Sequence, residues 1–285
     1  MIKEIRIVAP EKLTADFESI QAHYDLSDDF FRLFLDPTMT YSCAYFPTGK
    51  ETLEEAQIAK IDLSLGKLAL KRGEKLLDIG CGWGSTAMRA RERYGTEVVG
   101  LTLSKNQFAY ANRLAKGKGG LEFRLEGWET YNEPCDKIVS IGAFEHFTPA
   151  KYEAFFARCK ELLGQNGLML LHTITTGSFE KTFAFLRWTH FLLTHIFPGG
   201  RLPDPEQVVS HGRLAGFELL QAENLRMHYA RTLDLWAGNL ERNRAEAIKV
   251  TSEETYKTYM KYLRSCAPYF RSGEINVFQF LMRVI

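Results

Sequence analysis

From residue 75 onward, short apolar runs alternate with longer stretches in which apolar residues recur at helical spacing. The short runs predict β-strands, and the longer stretches predict helices that bury one face. The predicted strands are residues 75–79, 97–101, 121–125, 136–141 and 167–173, and the predicted helices between them are residues 85–94, 104–116 and 149–163. Strands that alternate with helices are typical of an α/β fold in which a mostly parallel sheet is covered on both faces.

Residues 1–70 lack this alternation and predict a helical cap at the N-terminal side. Apolar residues at helical spacing run through residues 22–35 and 53–70. The segment between them, residues 36–47, contains prolines near both ends and fits neither the helical nor the strand period. We therefore expect two helices joined by a loop.

The C-terminal part predicts one further helix and two further strands. Asp204 followed by Pro205 is typical of a helix start, because the Asp side chain caps backbone amides and Pro fits the first turn. Residues 217–226 and 275–285 predict an antiparallel pair of strands. No repeat or low-complexity linker divides the chain. The sequence thus predicts a single domain, residues 1–285, on a seven-stranded, mostly parallel sheet.

An aromatic-rich segment, residues 177–203, interrupts the alternation. Its apolar residues are Phe179, Phe183, Phe185, Leu186, Trp188, Phe191, Leu192, Leu193, Ile196 and Phe197, and its basic residues are Lys181, Arg187, His190 and His195. The segment is either an ordinary buried helix or a lid over an apolar channel that contacts a membrane surface or a lipid carrier. The sequence leaves both interpretations open.

Composition and charge narrow the range of partners. The 285 residues carry a formal net charge of +1, which gives no electrostatic case for binding nucleic acid. Five widely spaced cysteines without a CxxC pair predict neither a disulfide framework nor a zinc site, and they favour a reducing compartment. No apolar run reaches the ~18 residues of a membrane span, and the charged N-terminus does not resemble a signal peptide. We expect a cytoplasmic protein.

A glycine-rich turn follows the first predicted strand. Asp78-Ile79-Gly80-Cys81-Gly82-Trp83-Gly84 leads into the helix that begins at Ser85. Glycine lets a ligand approach the backbone because it has no Cβ and tolerates positive φ. The dinucleotide fingerprint G-x-G-x-x-G requires its third glycine at position 85, which is serine here. The G-x-G-x-G spacing instead resembles the first motif of S-adenosylmethionine (SAM) dependent methyltransferases. A glycine-rich turn of another α/β domain is the alternative.

Other loops at the carboxyl ends of the strands carry further candidates, because ligands of open α/β sheets bind there. Gln107 stands after the second strand, where an acid commonly binds ribose hydroxyls. Trp128 and Glu129 suit stacking on an adenine and accepting a hydrogen bond from its amine. Glu145 lies among aromatic residues, where an acid is costly unless it is paired or bound. His172 is expected to end the fifth strand.

A set of motifs identifies the family that the chain resembles. They are Ala22-His23-Tyr24-Asp25, Tyr41-Ser42-Cys43-Ala44-Tyr45-Phe46, Glu145-His146-Phe147, Met260-Lys261-Tyr262-Leu263, and residues 77–84, 100–107 and 197–203. In these motifs the chain resembles the mycolic acid cyclopropane synthases and the wider cyclopropane-fatty-acid synthase family of SAM enzymes, from about residue 17 to residue 285. The resemblance implies a Rossmann-like SAM-dependent methyltransferase fold.

The resemblance also implies roles for individual residues. Those that would bind SAM are Tyr41, Ser42, Asp78, Gly80, Gly82, Gly84, Thr102, Leu103, Gln107, Trp128 and Glu129. Those that would bind a bicarbonate ion are Cys43, the backbone of Ile141, Glu145, His172 and Tyr229. Cys266 aligns with a cysteine proposed as an active-site residue in the family, although the reaction needs no thiol nucleophile. The expected catalytic set is Cys43, Glu145, His172, Tyr229 and Cys266, without a metal.

The implied reaction transfers a methylene unit from SAM to the cis double bond of a long unsaturated acyl chain. Bicarbonate would act as the base, and the ring would close to a cyclopropane. The acyl chain would be carried by an acyl carrier protein or a phospholipid, with peripheral contact to a membrane. Two alternatives stay open: a methyl-branched or hydroxylated product from the same lipid class, and a lipid-binding module without turnover. A dehydrogenase-like domain is disfavoured by Ser85.

Overall fold

A seven-stranded sheet forms the centre of the computed structural model, which describes residues 26–177 and 182–285. The strands are β1 (Lys75–Ile79), β2 (Glu97–Thr102), β3 (Leu121–Leu125), β4 (Lys137–Ile141), β5 (Leu168–Thr176), β6 (Phe217–Asn224) and β7 (Ile275–Val284). Their order in the sheet is β3-β2-β1-β4-β5-β7-β6. The first five pair in parallel, and β7 runs antiparallel to both β5 and β6. The predicted α/β fold on a seven-stranded, mostly parallel sheet is confirmed.

Helices pack on both faces of this sheet. They are α1 (Asp28–Arg32), α2 (Leu53–Lys67), α3 (Ser85–Tyr94), α4 (Lys105–Ala115), α5 (Pro149–Leu163), α6 (Phe183–His195), α7 (Pro205–Leu214), α8 (Arg226–Arg242), α9 (Arg244–Val250) and α10 (Glu253–Ser272), with a 3-10 helix at Phe144–His146. Alternate residues of β1 point to opposite faces: Leu77 and Ile79 pack in the core that contains α5, and Leu76 packs in the core that contains α2 and α3.

A third core lies in the cap and is largely aromatic. Phe30 of α1 and Tyr259 of α10 meet edge to face with ring centroids 4.9 Å apart. Tyr41 lies 5.2 Å from the ring of Trp236 on α8. The cap is therefore built from α8, α9 and α10 as well as from the N-terminal segment. No element was predicted for residues 227–274, so these three helices were missed.

Three predicted elements have C-terminal ends that differ from the structure by three residues. Residues 22–25 of the first predicted helix lie outside the described residues. Helix α1 ends at Arg32, and the chain continues in turns in which the Leu33 and Phe34 amides donate to carbonyls three residues back. The second predicted helix ends at Lys67, shortly before Ala69 takes a positive φ of 49°. The fifth strand continues to Thr176, because β7 pairs with it over its whole length. His172 therefore lies inside β5 rather than at its end.

No helix within the described residues is long and apolar enough to cross a membrane. All five cysteines are buried and unpaired.

Candidate active site

The glycine turn between β1 and α3 is fixed by backbone hydrogen bonds to the next strand. The amides of Gly80 and Cys81 both donate to the Leu101 carbonyl at 2.9 Å. Gly80 has φ of 81° and Gly82 has φ of 56°. A Cβ added at Gly80 would lie 2.5 Å from the Ala143 Cβ, whereas one at Gly82 would meet nothing within 4 Å. Gly80 is therefore required for packing, and Gly82 leaves open space beside the backbone.

A cleft of about 1030 Å³, part of it open to solvent, lies at the carboxyl ends of β1, β2, β3 and β4. It brings together ten of the eleven residues predicted to bind the cofactor: Tyr41, Ser42, Asp78, Gly80, Gly82, Thr102, Leu103, Gln107, Trp128 and Glu129. Gly84 lies outside the lining. A Cβ there would lie 2.9 Å from the Phe123 ring, so this glycine serves the packing of α3 on the sheet.

One part of the cleft combines an indole with a carboxylate. Trp128 packs against Phe147 and Phe155, with ring centroids 5.5 and 5.3 Å away. Glu129 Oε1 accepts a hydrogen bond from Lys151 Nζ at 3.1 Å. Trp128 Nε1 and Glu129 Oε2 are buried and have no hydrogen-bond partner among the described residues. The cleft thus presents a donor and an acceptor to any ligand that enters it.

Another part of the cleft contains a buried ammonium group that our sequence analysis missed. Lys60 on α2 is 1% exposed and donates to Ser42 Oγ at 2.8 Å. Burial lowers the pKa of Lys60 to about 8 and raises the pKa of Asp78 to about 7. Asp78 Oδ2 finds no partner in the described parts of the chain. Buried groups of opposite charge suit a zwitterionic ligand. The sequence signal that could have indicated Lys60 is a polar residue at helical spacing inside α2.

Glu145 binds the edge of β5 at the point where β4 has ended and no longer covers it. The last parallel pair joins Ile141 to His172, and the Gly142 amide still donates to the His172 carbonyl at 2.9 Å. Two residues farther along β5, the Ile174 amide donates to Glu145 Oε1 at 2.7 Å. The carboxylate therefore takes the place of the next β4 carbonyl. Burial raises the pKa of Glu145 to about 7.

Glu145 and His172 both keep one side-chain atom without a partner. His172 is 2% exposed, and its Nδ1 lies 3.3 Å from Gln279 Nε2. The opposite ring nitrogen, His172 Nε2, and the second carboxylate oxygen, Glu145 Oε2, are buried without a hydrogen bond to any described residue. Burial lowers the pKa of His172 well below its ordinary value, and the ammonium groups of Lys60 and Lys67 lower it further. The imidazole is therefore neutral.

The other predicted anion-binding residues lie in the cap, behind the cleft. Tyr229 on α8 is buried, and the groups that act electrostatically on its hydroxyl are Tyr262, Cys43, Glu145 and Cys266. Burial raises the pKa of Tyr229 and of both cysteines, so these groups stay protonated. Of the predicted bicarbonate set, only Ile141 also lines the cleft. Tyr229 therefore lies close enough to Cys43 and Glu145 for an electrostatic interaction with them, and all three lie outside the lining of the cleft.

Comparisons with known proteins identify the family. The family model for mycolic acid cyclopropane synthetase matches residues 11–280. The chain belongs to this family. Cyclopropane mycolic acid synthase 1 of Mycobacterium tuberculosis (strain ATCC 25618 / H37Rv) is 53% identical over 282 residues, which cover 95% of this chain and 98% of the relative. Cyclopropane mycolic acid synthase MmaA2 of the same strain is 53% identical over 281 residues, with the same coverage. The predicted family and enzyme class are confirmed.

Solved structures support the same assignment. The cyclopropane synthase MmaA2 from Mycobacterium tuberculosis superposes with a TM-score of 0.94 at 52% identity, over 96% of this chain and 100% of that one. Mycolic acid cyclopropane synthase CmaA1, complexed with SAH and CTAB, gives a TM-score of 0.93 at 52% identity with the same coverage. Coclaurine N-methyltransferase, at 21% identity and a TM-score of 0.80 over 95% of this chain and 83% of that one, shares the fold. The SAM-dependent methyltransferase fold is confirmed.

Substitution of Gly82 should weaken cofactor binding and leave the fold intact. Gly82→Ala fills open space beside the ligand and costs about 1–2 kcal/mol of backbone strain. We expect the protein to fold and SAM affinity to fall at least tenfold, measured by calorimetric titration. Gly80→Ala is the matched control, because its Cβ meets Ala143 and should lower the melting temperature more. Unchanged SAM affinity in Gly82→Ala would contradict the expectation that the cofactor lies beside the backbone of Gly82.

The buried Glu145 carboxyl should make stability depend on pH. Its pKa is about 7 in the folded protein and roughly 4.3 in the unfolded chain. Between these values the folded state holds a proton that the unfolded chain has released, so the free energy of unfolding decreases as pH rises. Glu145→Gln should reduce that decrease by roughly 3 kcal/mol, measured by urea unfolding from about pH 5 to about pH 8. Glu218→Gln, at a partly exposed carboxyl, should leave the decrease in place. Equal slopes of the free energy of unfolding against pH in wild type and Glu145→Gln would refute the assignment of this pH dependence to Glu145.

Proposed function

We propose that the chain transfers a methylene unit from SAM to the cis double bond of a long unsaturated acyl chain and forms a cyclopropane ring. The observation that carries this proposal is the adjacency of two sites. A cleft with buried charges of both signs adjoins Glu145 and His172, which hold an unpartnered acceptor and an unpartnered ring nitrogen among the described residues. The names of the relatives, cyclopropane mycolic acid synthases, support the same chemistry.

The cleft fits SAM in size and in the chemistry of its lining. SAM supplies an electrophilic methyl group when bound. We infer that Lys60 Nζ and Ser42 Oγ bind its carboxylate and that Asp78 Oδ2 accepts from its amino group. Glu129 Oε2 would accept from the adenine amine beside Trp128. Thr102 Oγ1 donates to Gln107 Oε1 at 2.9 Å, which orients the Gln107 amide for the ribose hydroxyls.

The second site fits a bicarbonate ion, which both donates and accepts hydrogen bonds. Bicarbonate supplies a base small enough to reach the transferred carbon without admitting bulk water. Glu145 Oε2 would accept the hydrogen of the ion, and His172 would hold one of its oxygens. Tyr229 stays protonated, because burial raises its pKa well above the ordinary value, and its hydroxyl is a further donor. Cys43 and Cys266 are protonated thiols here and act through packing rather than as nucleophiles.

The aromatic cap supports the same reaction. Trp83 and Tyr41 line the cleft, and both pack against Phe31, with ring centroids 5.2 and 5.4 Å away. This apolar wall excludes water, which would otherwise add to the positively charged acyl chain and give an alcohol. Ring faces also stabilise that positive charge as it develops.

Helix α6 is the proposed docking element for the lipid. Its inner face packs on α10: Trp188 Nε1 donates to Ser265 Oγ at 3.1 Å, and Lys261 Nζ lies 3.9 Å from the centre of the Phe191 ring. Its outer face exposes Phe183 (76%) and Leu186 (51%). The helix contains basic residues and no acid. An apolar and basic face suits an anionic lipid headgroup or an acidic acyl carrier protein.

The end of this segment reaches the proposed base site. The Arg201 amide donates to the Glu145 carbonyl at 2.9 Å, and the Thr176 amide donates to the Pro203 carbonyl at 2.9 Å. The segment from α6 to α7 therefore connects the outer apolar face with the residues proposed to hold the base. We infer that it acts as a lid, which the sequence left as one of two interpretations. Phe179 and Lys181 lie outside the described residues.

Glu145→Gln and His172→Ala should separate chemistry from cofactor binding. Neither residue lines the cleft, so we expect SAM affinity within a few-fold of wild type and turnover reduced roughly 10²–10⁴-fold. The assay supplies SAM and a cis-unsaturated lipid, and proton NMR of the product distinguishes a cyclopropane from a methyl-branched or hydroxylated chain. Glu218→Gln serves as the control. Full turnover in both variants would eliminate the base site; a wild type that binds SAM but modifies no alkene would eliminate the proposed function.

The outer face of α6 should affect lipid use and not SAM binding. Phe183→Asp combined with Leu186→Asp should raise KM for the lipid about tenfold or more, since both side chains lose apolar contact with it. Leu214→Asp, at an 82% exposed position on α7, is the matched control. Parallel assays with anionic vesicles and with a carrier-linked acyl chain show which form α6 recognises. A double variant that matches wild type in both assays would rule out docking at α6.

A further inference from the structure

Three polar residues form a row across the antiparallel part of the sheet. Glu223 of β6 pairs with Gln279 of β7, and Gln279 pairs with His172 of β5. Residues directly opposite each other in such strands point to the same face. Helix α2 covers this face and adds Ser64 and Lys67, which lie one turn apart. The reaction proposed above assigns no role to this row beyond His172.

The orientation of the Gln279 amide is determined by two independent contacts. Lys67 Nζ donates to Gln279 Oε1 at 2.6 Å and also to Glu223. An ammonium group has no lone pair, so it can face only the carbonyl end of the amide. On the other side, Gln279 Nε2 lies 3.0 Å from Ser64 Oγ, which gives its own hydrogen to the Lys60 carbonyl at 2.8 Å. Ser64 therefore accepts from the amide nitrogen, in agreement with the Lys67 contact.

This orientation determines which ring nitrogen of His172 carries the proton. The amide NH₂ group of Gln279 lies 3.3 Å from His172 Nδ1, so that nitrogen must accept. A neutral imidazole has one donor and one acceptor nitrogen, so the proton resides on Nε2. We propose that Lys67 and Gln279 are positioning residues that hold His172 as the Nε2–H tautomer and so present a hydrogen-bond donor to the base site proposed above.

The consequence for catalysis rests on the function proposed above. Above about pH 7, where Glu145 is ionised, its Oε2 accepts and His172 Nε2 donates, so the two side chains offer opposite hydrogen-bonding groups to one small ligand. Bicarbonate would be bound in a single orientation, with its hydrogen toward Glu145 and an oxygen toward His172. The other tautomer would present two acceptors and would not distinguish the two ends of the ion.

Nitrogen NMR of the imidazole rings tests the tautomer without reference to turnover. In protein labelled with ¹⁵N-histidine at neutral pH, His172 should show a protonated Nε2 and an unprotonated Nδ1. His172→Gln identifies its signals. A protonated Nδ1 in the wild type would overturn the proposal. A wild type with the expected tautomer but no alkene-modifying activity would overturn the proposed function and leave the tautomer assignment standing.

Variants of the two positioning residues test the cause. Gln279→Glu replaces the donor beside Nδ1 with an acceptor, so the proton should move to Nδ1 and turnover should fall roughly 100-fold or more, with SAM affinity unchanged. Lys67→Met removes one of the two contacts that orient the amide, so a measurable fraction of the Nδ1–H tautomer should appear, and Lys67→Arg should restore Nε2–H. Glu218→Gln, on β6 but outside the row, should match wild type. If Lys67→Met and Gln279→Glu both retain Nε2–H, the row does not set the tautomer.

Discussion

The buried polar face of α2 is the constraint on which both halves of the site depend. Gln57, Lys60, Ser64 and Lys67 lie along one side of this helix, and all face inward. A buried polar group without a partner costs about 1–3 kcal/mol, so each of them needs a partner close by. Gln57 Nε2 donates to the carbonyls of residues 40 and 42, and the two lysines reach the cofactor cleft and the sheet. One helix thus holds the loop that carries Ser42 and the strand that supports His172.

Local patterns in the sequence were enough to predict the sheet but not the packing of the cap. Each parallel strand is a short run rich in apolar residues between turn residues, so its position follows from neighbouring residues alone. The aromatic cap joins Phe30 to Tyr259, and local patterns do not predict such contacts between distant residues. Helix α10 itself was predictable, because its buried residues recur at helical spacing. The end of β5 was placed at residue 173 because its last residues are held by β7 rather than by β4.

Some residues of the candidate site could be predicted from local patterns in the sequence, and others could not. The glycine turn and the residues after β2 and β3 were predictable, because each is a short motif at a strand end. Lys60 was not, because α2 was predicted from its apolar residues and no role was assigned to its polar ones. Gln279 was also missed, since a glutamine within an apolar strand gives no signal until the strand order is known. Family resemblance supplied Tyr229 and Cys43, which local reasoning left without a role.

The position of β7 between β5 and β6 affects how the protein folds. β7 is the last strand in the chain, yet it lies between β5 and β6 and pairs with both. During synthesis the ribosome therefore releases β5 and β6 with facing, unpaired edges, and exposed strand edges favour self-association. The inner strands have their partners early, whereas the row from Glu223 to His172 exists only after β7 is inserted. If the base site works as proposed, a chain with a folded nucleotide cleft but without β7 in place would lack the row that orients His172 and would be inactive.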